Sequence, residues 1–190
     1  MLLATCHKHI IHLLALLVFY GIVSCAEAAD VRPYKISLIV FKHIPPDPPF
    51  SPRFIPRWAT RSIEKTTLNE DSLLPPSESS LDGAYRALLS NTSYEVVFNG
   101  AWVSELTYGQ AREFYLHGAM DEQAFWDIRM KVTRKYALDV DFQAQWLTPV
   151  AENRYSINDL NEHYTTPVNQ IQYIDGPLYS ALIKITRAYS

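Results

Sequence analysis

The stretch WDIRMKVTRKYALDVDFQAQW, residues 126–146, decides the fold because it alternates apolar and polar side chains in two successive runs. Such alternation is typical of β-strands that bury one face. Two runs separated by a few residues predict an antiparallel hairpin. A turn centred on Lys135 pairs Val132 with Leu138, so the apolar residues of both strands lie on one buried face.

The exposed face of this hairpin carries opposite charges. The same register places Lys131 beside Asp139 and Arg129 beside Asp141. Exposed pairs of this kind contribute only about 0.2–1 kcal/mol each, so they select the register more than they stabilise the fold. The two aspartates are therefore interpreted as charge partners and not as catalytic carboxylates.

Outside the hairpin, the apolar spacing predicts four further strands and one helix. The helix opens at Ser79 or Ser80 and ends at Asn91, while residues 107–115 fit either a short helix or a strand. The predicted class is α+β, a mainly antiparallel sheet of about six strands with one firm helix packed on one face. The helix stripe is Leu81, Tyr85, Leu88 and Leu89, and the four strands span residues 34–41, 94–103, 170–174 and 178–186.

One of these strands, residues 94–103, contains a glycine. Gly100 in the interior predicts a β-bulge. The even-numbered residues Tyr94, Val96, Phe98 and Trp102 are predicted to share one face of the sheet.

A proline-rich insertion follows the first strand. Residues 44–80 contain a dense run of prolines, which cannot join a sheet ladder and favour extended backbone. We interpret this segment as a surface insertion within a single domain of residues 30–190. Trp58 lies in it, and a proline-rich ligand for a partner protein is the alternative interpretation.

The amino terminus has the three parts of a secretory signal. Lys8 precedes an apolar run at residues 10–23, and small residues follow, with cleavage expected after Ala28 or Ala29. Residues 1–29 are therefore predicted to be a signal peptide that exports the chain to the periplasm. An alternative route is lipidation of Cys25, which would make an outer-membrane lipoprotein.

Composition excludes several functions. The net charge of −3 and the absence of a basic run argue against nucleic acid as a partner. Cys6 and Cys25 are the only cysteines, so residues 30–190 have no disulfide and no thiolate nucleophile. No catalytic, nucleotide or metal-binding motif is present. We expect no enzyme activity, no cofactor and no metal.

Aromatic side chains favour a binding protein. They make up 13% of the chain. Tyrosine or tryptophan can stack on sugar rings while a polar edge binds water or ligand. For Trp102, core packing is the favoured alternative, and Asp175 fits a turn cap as well as a binding role. The candidate binding residues are Trp58, Trp102, Tyr136, Tyr173 and Asp175.

Several short motifs together resemble the CsiV family, periplasmic peptidoglycan-binding proteins of gammaproteobacteria. They run in the order Ile39-Val40-Phe41-Lys42, Ala101-Trp102, Tyr136-Ala137-Leu138-Asp139-Val140 and Tyr173-Ile174-Asp175-Gly176-Pro177. The resemblance covers roughly residues 33–187. Where the family pattern has histidines, this chain has Asn99, Gln172 and Gly176, and Tyr164-Thr165-Thr166-Pro167 replaces an arginine-rich run.

The resemblance implies a non-catalytic periplasmic protein that binds peptidoglycan and supports cell-wall synthesis or cell-shape maintenance. It also implies a partner, the outer-membrane lipoprotein that activates a penicillin-binding peptidoglycan synthase. The alternative is an envelope protein–protein adaptor that docks its partner through Pro45 to Trp58 and does not bind peptidoglycan directly.

Overall fold

The computed structural model describes residues 30–44, 53–56, 72–119, 124–151 and 154–188. The predicted signal peptide, Cys25, Trp58 and most of the proline-rich insertion lie outside the described residues. No helix in these ranges has the length and apolar character needed to cross a bilayer.

Across the described residues, nine strands form two antiparallel sheets. The first sheet has the order β3-β1-β9-β8 and the second has the order β2-β7-β6-β5-β4. The elements are β1 (Val31–His43), β2 (Arg53–Pro56), a 3₁₀ turn (Pro76–Glu78), α1 (Asp82–Leu89), β3 (Tyr94–Thr107), β4 (Ala111–Ala119), β5 (Phe125–Arg134), β6 (Leu138–Ala151), β7 (Arg154–Thr166), β8 (Ile171–Ile174) and β9 (Tyr179–Arg187).

The predicted mainly antiparallel architecture with a helix is confirmed, but the count of about six strands in one sheet is wrong. The largest omission is β7, whose 13 residues include Asp159, Asn161, Glu162 and His163 and so lack a clear apolar alternation. The expectation that the proline-rich insertion joins no sheet ladder is also wrong for residues 53–56, because β2 pairs with β7 at the edge of the second sheet. The ambiguous segment at residues 107–115 leads into β4, which is a strand.

The main core lies between the facing sides of the two sheets. Side chains from β1 and β9 meet those from β5 and β6, as in a sandwich. Trp146 of β6 stacks on Tyr179 of β9 with ring centroids 4.1 Å apart and an interplanar angle of 4°. This contact joins the two sheets directly. The fully buried members include Ile36, Leu38, Trp102, Met130, Phe142 and Trp146.

The helix α1 covers part of the outer side of the first sheet. Leu81, just before α1, packs with Ile39 and Phe41, and Tyr85 and Leu88 add to this smaller core. The helix begins at Asp82, two or three residues later than predicted, because a 3₁₀ turn precedes it. Leu89 was assigned to the apolar stripe, but its side chain is 61% exposed. The packed stripe is therefore shorter than predicted.

A bulge in β3 changes which residues face the main core. Val40 pairs with Phe98 while Phe41 pairs with Val96, so Val97 is the extra residue. Val96 consequently faces α1 and Phe98 faces the second sheet. The single face predicted for residues 94–102 and the bulge at Gly100 are both wrong. Gly100 instead provides room for the Phe98 ring, which would lie 2.6 Å from an added Cβ.

The β5–β6 hairpin has the predicted faces but a different register. Val132 pairs with Val140 instead of Leu138, a shift of two residues that preserves the inward and outward sides. Lys131 accordingly faces Asp141, and their charged atoms are 3.5 Å apart.

The other predicted charge partners change as well. Arg129 binds Glu113 of β4 at 3.0 Å, and Asp139 binds Lys135 at 2.5 Å. The interpretation of both aspartates as charge partners therefore holds, although their partners were predicted wrongly.

Candidate functional site

The structure separates the predicted binding residues. Tyr173 and Asp175 lie together at one end of the first sheet. Tyr136 lies in the β5–β6 turn, near the end of the domain where β1 starts. Trp102 is only 1% exposed, so its indole has no face open to a ligand and it belongs to the core. Among the described candidates, only Tyr173 and Asp175 form a common site.

The Tyr173–Asp175 pair is completed by two residues that sequence analysis missed. The Tyr173 hydroxyl donates to Asp175 Oδ1 at 2.7 Å, and Ser180 Oγ donates to the same oxygen at 3.1 Å. His43 Nε2 lies 2.7 Å from Ser180 Oγ. The pairing of β1 with β9 brings His43 beside Ser180, although they are 137 positions apart in sequence. We call these four residues with Phe41 and Tyr94 the Tyr173 site.

Aromatic rings support the exposed tyrosine. Tyr173 stacks on the buried Phe41 with centroids 6.5 Å apart and an interplanar angle of 18°. Tyr94 meets Phe41 edge to face at 5.2 Å and meets His43 at 5.6 Å. Tyr173 is 55% exposed. One side of its ring therefore rests on the protein while the remainder is open to a ligand.

The turn after β8 requires a glycine. A Cβ on Gly176 would lie 2.5 Å from the backbone oxygen of Tyr179, which is closer than atoms can pack. The Gly176 amide also donates to Ser180 Oγ at 3.4 Å. This close approach of two backbone segments positions Asp175 over Ser180.

Electrostatics fix the protonation of the pair at neutral pH. Burial raises the pKa of Tyr173, and the hydrogen bond to Asp175 raises it further. The hydrogen bond from Tyr173 lowers the pKa of Asp175, and the bond from Ser180 lowers it as well. The site therefore offers a neutral phenol held in a fixed orientation by an ionised carboxylate.

The hydrogen-bond directions decide whether Ser180 can act as a nucleophile. Ionised Asp175 can only accept, so the single hydroxyl proton of Ser180 points to it. His43 Nε2 must then carry a proton and donate it to Ser180 Oγ. In a serine–histidine–aspartate triad, by contrast, the histidine accepts the serine proton and the carboxylate holds the histidine. The buried Ser180 is thus a structural link and is not activated.

The outer side of the second sheet carries a separate set of polar pairs. His117 Nδ1 lies 2.6 Å from Asp127 Oδ1, and His163 Nδ1 lies 2.6 Å from Asp141 Oδ1. Throughout the described part of the chain, no three histidine, cysteine, aspartate or glutamate side chains are grouped to hold a metal ion. These pairs are best explained as cross-strand polar contacts.

No protein-family model, no curated protein and no solved structure matches the chain.

Proposed function

We propose that this chain is an exported, non-catalytic protein that binds peptidoglycan through the Tyr173 site. The observation that carries the proposal is the half-exposed Tyr173 ring, stacked on Phe41 with its hydroxyl bound to Asp175. Rings held this way are pre-organised to stack on the apolar face of a sugar. The neighbouring carboxylate can accept hydrogen bonds from glycan hydroxyls, acetamido groups or the amino groups of stem peptides.

The arrangement supports binding without bond cleavage. Ser180 is fully buried and its proton is directed to Asp175. A hydrolase that used Ser180 would need His43 to accept that proton. Asp175, Ser180 and His43 therefore act as a rigid support for Tyr173.

The resemblance to CsiV-like proteins supports the same ligand. Tyr173, Asp175 and Pro177 belong to the closing motif of that resemblance. Gln172 stands where the family has a histidine. Its side-chain amide donates to Thr166 Oγ1 at 2.6 Å and is therefore engaged within the protein. Wall binding by this chain would then depend on Tyr173 and Asp175 and not on imidazoles. The proposed setting is the periplasm, in support of cell-wall synthesis and cell shape, with the lipoprotein activator of a penicillin-binding protein as the proposed partner.

Co-sedimentation with purified sacculi tests the proposal. We expect residues 30–190 to pellet with sacculi without releasing soluble muropeptides. Tyr173→Ala should weaken binding about fivefold, which corresponds to about 1 kcal/mol. Tyr136→Ala is the matched control because it removes an exposed tyrosine at the other end of the domain.

Three results would count against this function. Protein that stays in the supernatant would favour the adaptor alternative. Equal losses in the two tyrosine variants would show that binding does not depend on the Tyr173 site. Release of muropeptides would show that the protein is an enzyme.

A further inference from the structure

Two exposed tyrosines lie together at the end of the domain opposite to the Tyr173 site. Tyr108 follows β3 and is 45% exposed, and Tyr136 lies in the β5–β6 turn with its side chain fully exposed. Their ring centroids are 6.2 Å apart and the rings are nearly perpendicular, at 79°. We call the surface formed by Tyr108, Tyr136, Lys135 and Val31 the tyrosine end.

The backbone holds both rings outside the core. The Gly109 amide donates to the Arg134 carbonyl at 2.8 Å, which ties the β3–β4 turn to the end of β5. Gly109 has a φ of 75°, and the turn depends on it because only glycine adopts such a backbone conformation readily. The buried Arg134 donates to the Leu106 carbonyl at 3.1 Å, and its guanidinium lies 5.7 Å from the Tyr108 ring centre. The exposure of the tyrosines is therefore built into the fold.

Basic side chains lie at the same end of the domain as these rings, together with acidic ones. Asp139 pairs with Lys135 at 2.5 Å, and the exposed Glu105 of β3 lies opposite Pro33 of β1. Lys135 is adjacent to Tyr136 and is exposed. Arg32 and Arg187 are also exposed, and β1 and β9 place them at this end of the first sheet. Tyrosine rings next to lysine and arginine are typical of surfaces that rest at the headgroup level of an anionic bilayer.

The start of the domain lies at the same end. Val31 begins β1, is 43% exposed, and pairs with Thr107, the residue before Tyr108. Cys25 precedes Val31 by only a few positions. A fully extended chain of that length reaches at most about 20 Å. If the chain is lipidated at Cys25, the alternative to cleavage after Ala28 or Ala29, this length is the limit on how far the lipid can lie from Val31.

We propose that the tyrosine end is a membrane-contact surface that docks on anionic phospholipid. Tyr108 and Tyr136 would enter the headgroup layer, and the exposed Arg32 and Arg187 at this end would face lipid phosphates. Lys135 contributes less, because it already pairs with Asp139. The perpendicular rings offer no common flat platform for a sugar, which favours lipid over glycan. The contact by itself is weak and becomes stable with a second attachment, such as a lipid chain.

Sedimentation with vesicles tests this proposal. Residues 30–190, which lack Cys25 and so carry no lipid chain, are mixed with vesicles of equal parts phosphatidylcholine and phosphatidylglycerol, or of phosphatidylcholine alone. We expect more protein to pellet with the anionic vesicles. The double variant Tyr108→Ser/Tyr136→Ser should reduce the bound fraction at least about threefold. Tyr173→Ser is the matched control and should bind vesicles like the wild type.

The variants also separate this proposal from peptidoglycan binding. The double variant should keep its binding to sacculi and its thermal stability, since both tyrosines lie outside the core. Equal vesicle binding by the double variant and the wild type would overturn the proposal. Equal binding of the wild type to the two vesicle types would also overturn it. The proposal would likewise be overturned if the double variant lost binding to N-acetylglucosamine oligosaccharides but kept its vesicle binding, because this end would then be a sugar site.

Discussion

The two ends of the domain both expose a tyrosine, but they hold it in different ways. Tyr173 is stacked on Phe41 and its hydroxyl is fixed by Asp175. Tyr136 is fully exposed at the tip of a hairpin and meets Tyr108 edge to face. A ring with a fixed hydroxyl suits a ligand of defined shape, whereas a protruding ring suits an adaptable surface such as a bilayer. Exposure alone therefore does not identify the kind of ligand.

The largest effect is expected from the core that both ends share. Trp146 is a fully buried ring that stacks on Tyr179. Trp146→Ala should lower the free energy of unfolding by about 3–5 kcal/mol. Urea denaturation measures this change. Tyr136→Ala, at an exposed position, is the control. A loss smaller than that caused by the control would mean that the two sheets are not joined through this contact.

A matched pair of glycine substitutions tests the turn that holds the Tyr173 site. Gly176→Ala forces a Cβ against the Tyr179 carbonyl and should destabilise the protein by about 1–3 kcal/mol. Gly83→Ala, in open space on α1, should stabilise it by about 0.5–1 kcal/mol. Thermal unfolding measures both variants.

Binding assays on the same pair sharpen the comparison. Gly176→Ala should weaken sacculus binding and leave vesicle binding intact, because the altered turn positions Asp175 and not the tyrosine end. Equal damage to both activities would show that the two ends do not behave as separate sites.

For the β5–β6 hairpin, the sequence predicted which side of each strand is buried better than it predicted which residues pair across the strands. Alternation in residues 126–146 fixes which side chains point inward. Shifting the pairing of β5 with β6 by two residues leaves the inward and outward sides of both strands unchanged. Lys131 faces Asp139 in the predicted register and Asp141 in the observed one, so charge pairing does not distinguish them. Sequence analysis does not predict β7, because exposed polar residues interrupt its apolar alternation. In β3, the side of the sheet that the side chains face changes at a bulge at Val97, and no local sequence signal marks that bulge.

The site was predictable only where it is local in sequence. Tyr173 and Asp175 are two positions apart and stand out as a motif. His43 and Ser180 become neighbours only through the β1–β9 pairing, which cannot be read from either segment alone. The burial of Trp102 likewise follows from the second sheet that covers it.

Acid titration should distinguish the fixed tyrosine from the protruding one. The folded-state pKa of Asp175 is lowered. Its stabilising effect is therefore present above the unfolded pKa of about 3.9 and is lost as pH falls through the folded value. The melting temperature of Asp175→Asn should lie below that of the wild type at neutral pH, and the difference should shrink in acid.

Two further variants control this pH test. Tyr173→Phe should show part of the same change, because it removes the hydrogen bond that most lowers the pKa of Asp175. Tyr136→Phe should show none of it. A constant difference between Asp175→Asn and the wild type at all pH values would contradict the assigned role of Asp175.

The smallest effect is expected from the polar face of the second sheet. Glu113→Gln breaks the 3.0 Å pair with Arg129, in which both side chains are partly exposed. The free energy of unfolding should change by only about 0.2–1 kcal/mol. Binding to sacculi and to vesicles should both remain at wild-type levels. A loss of either would show that this face contributes to a binding site, which would break the simple contrast between two ends.

The strand β1 gives the domain a mechanical property. It runs without interruption from Val31 at the tyrosine end to His43 at the Tyr173 site, and its length is 13 residues. At the usual rise per residue this is a span of about 40 Å. Antiparallel neighbours flank the strand on both sides. A pull between a bilayer at one end and the cell wall at the other would load these ladders in shear, so that many hydrogen bonds would resist together instead of opening one by one. The fold would thus serve as a stiff spacer that withstands tension along its length.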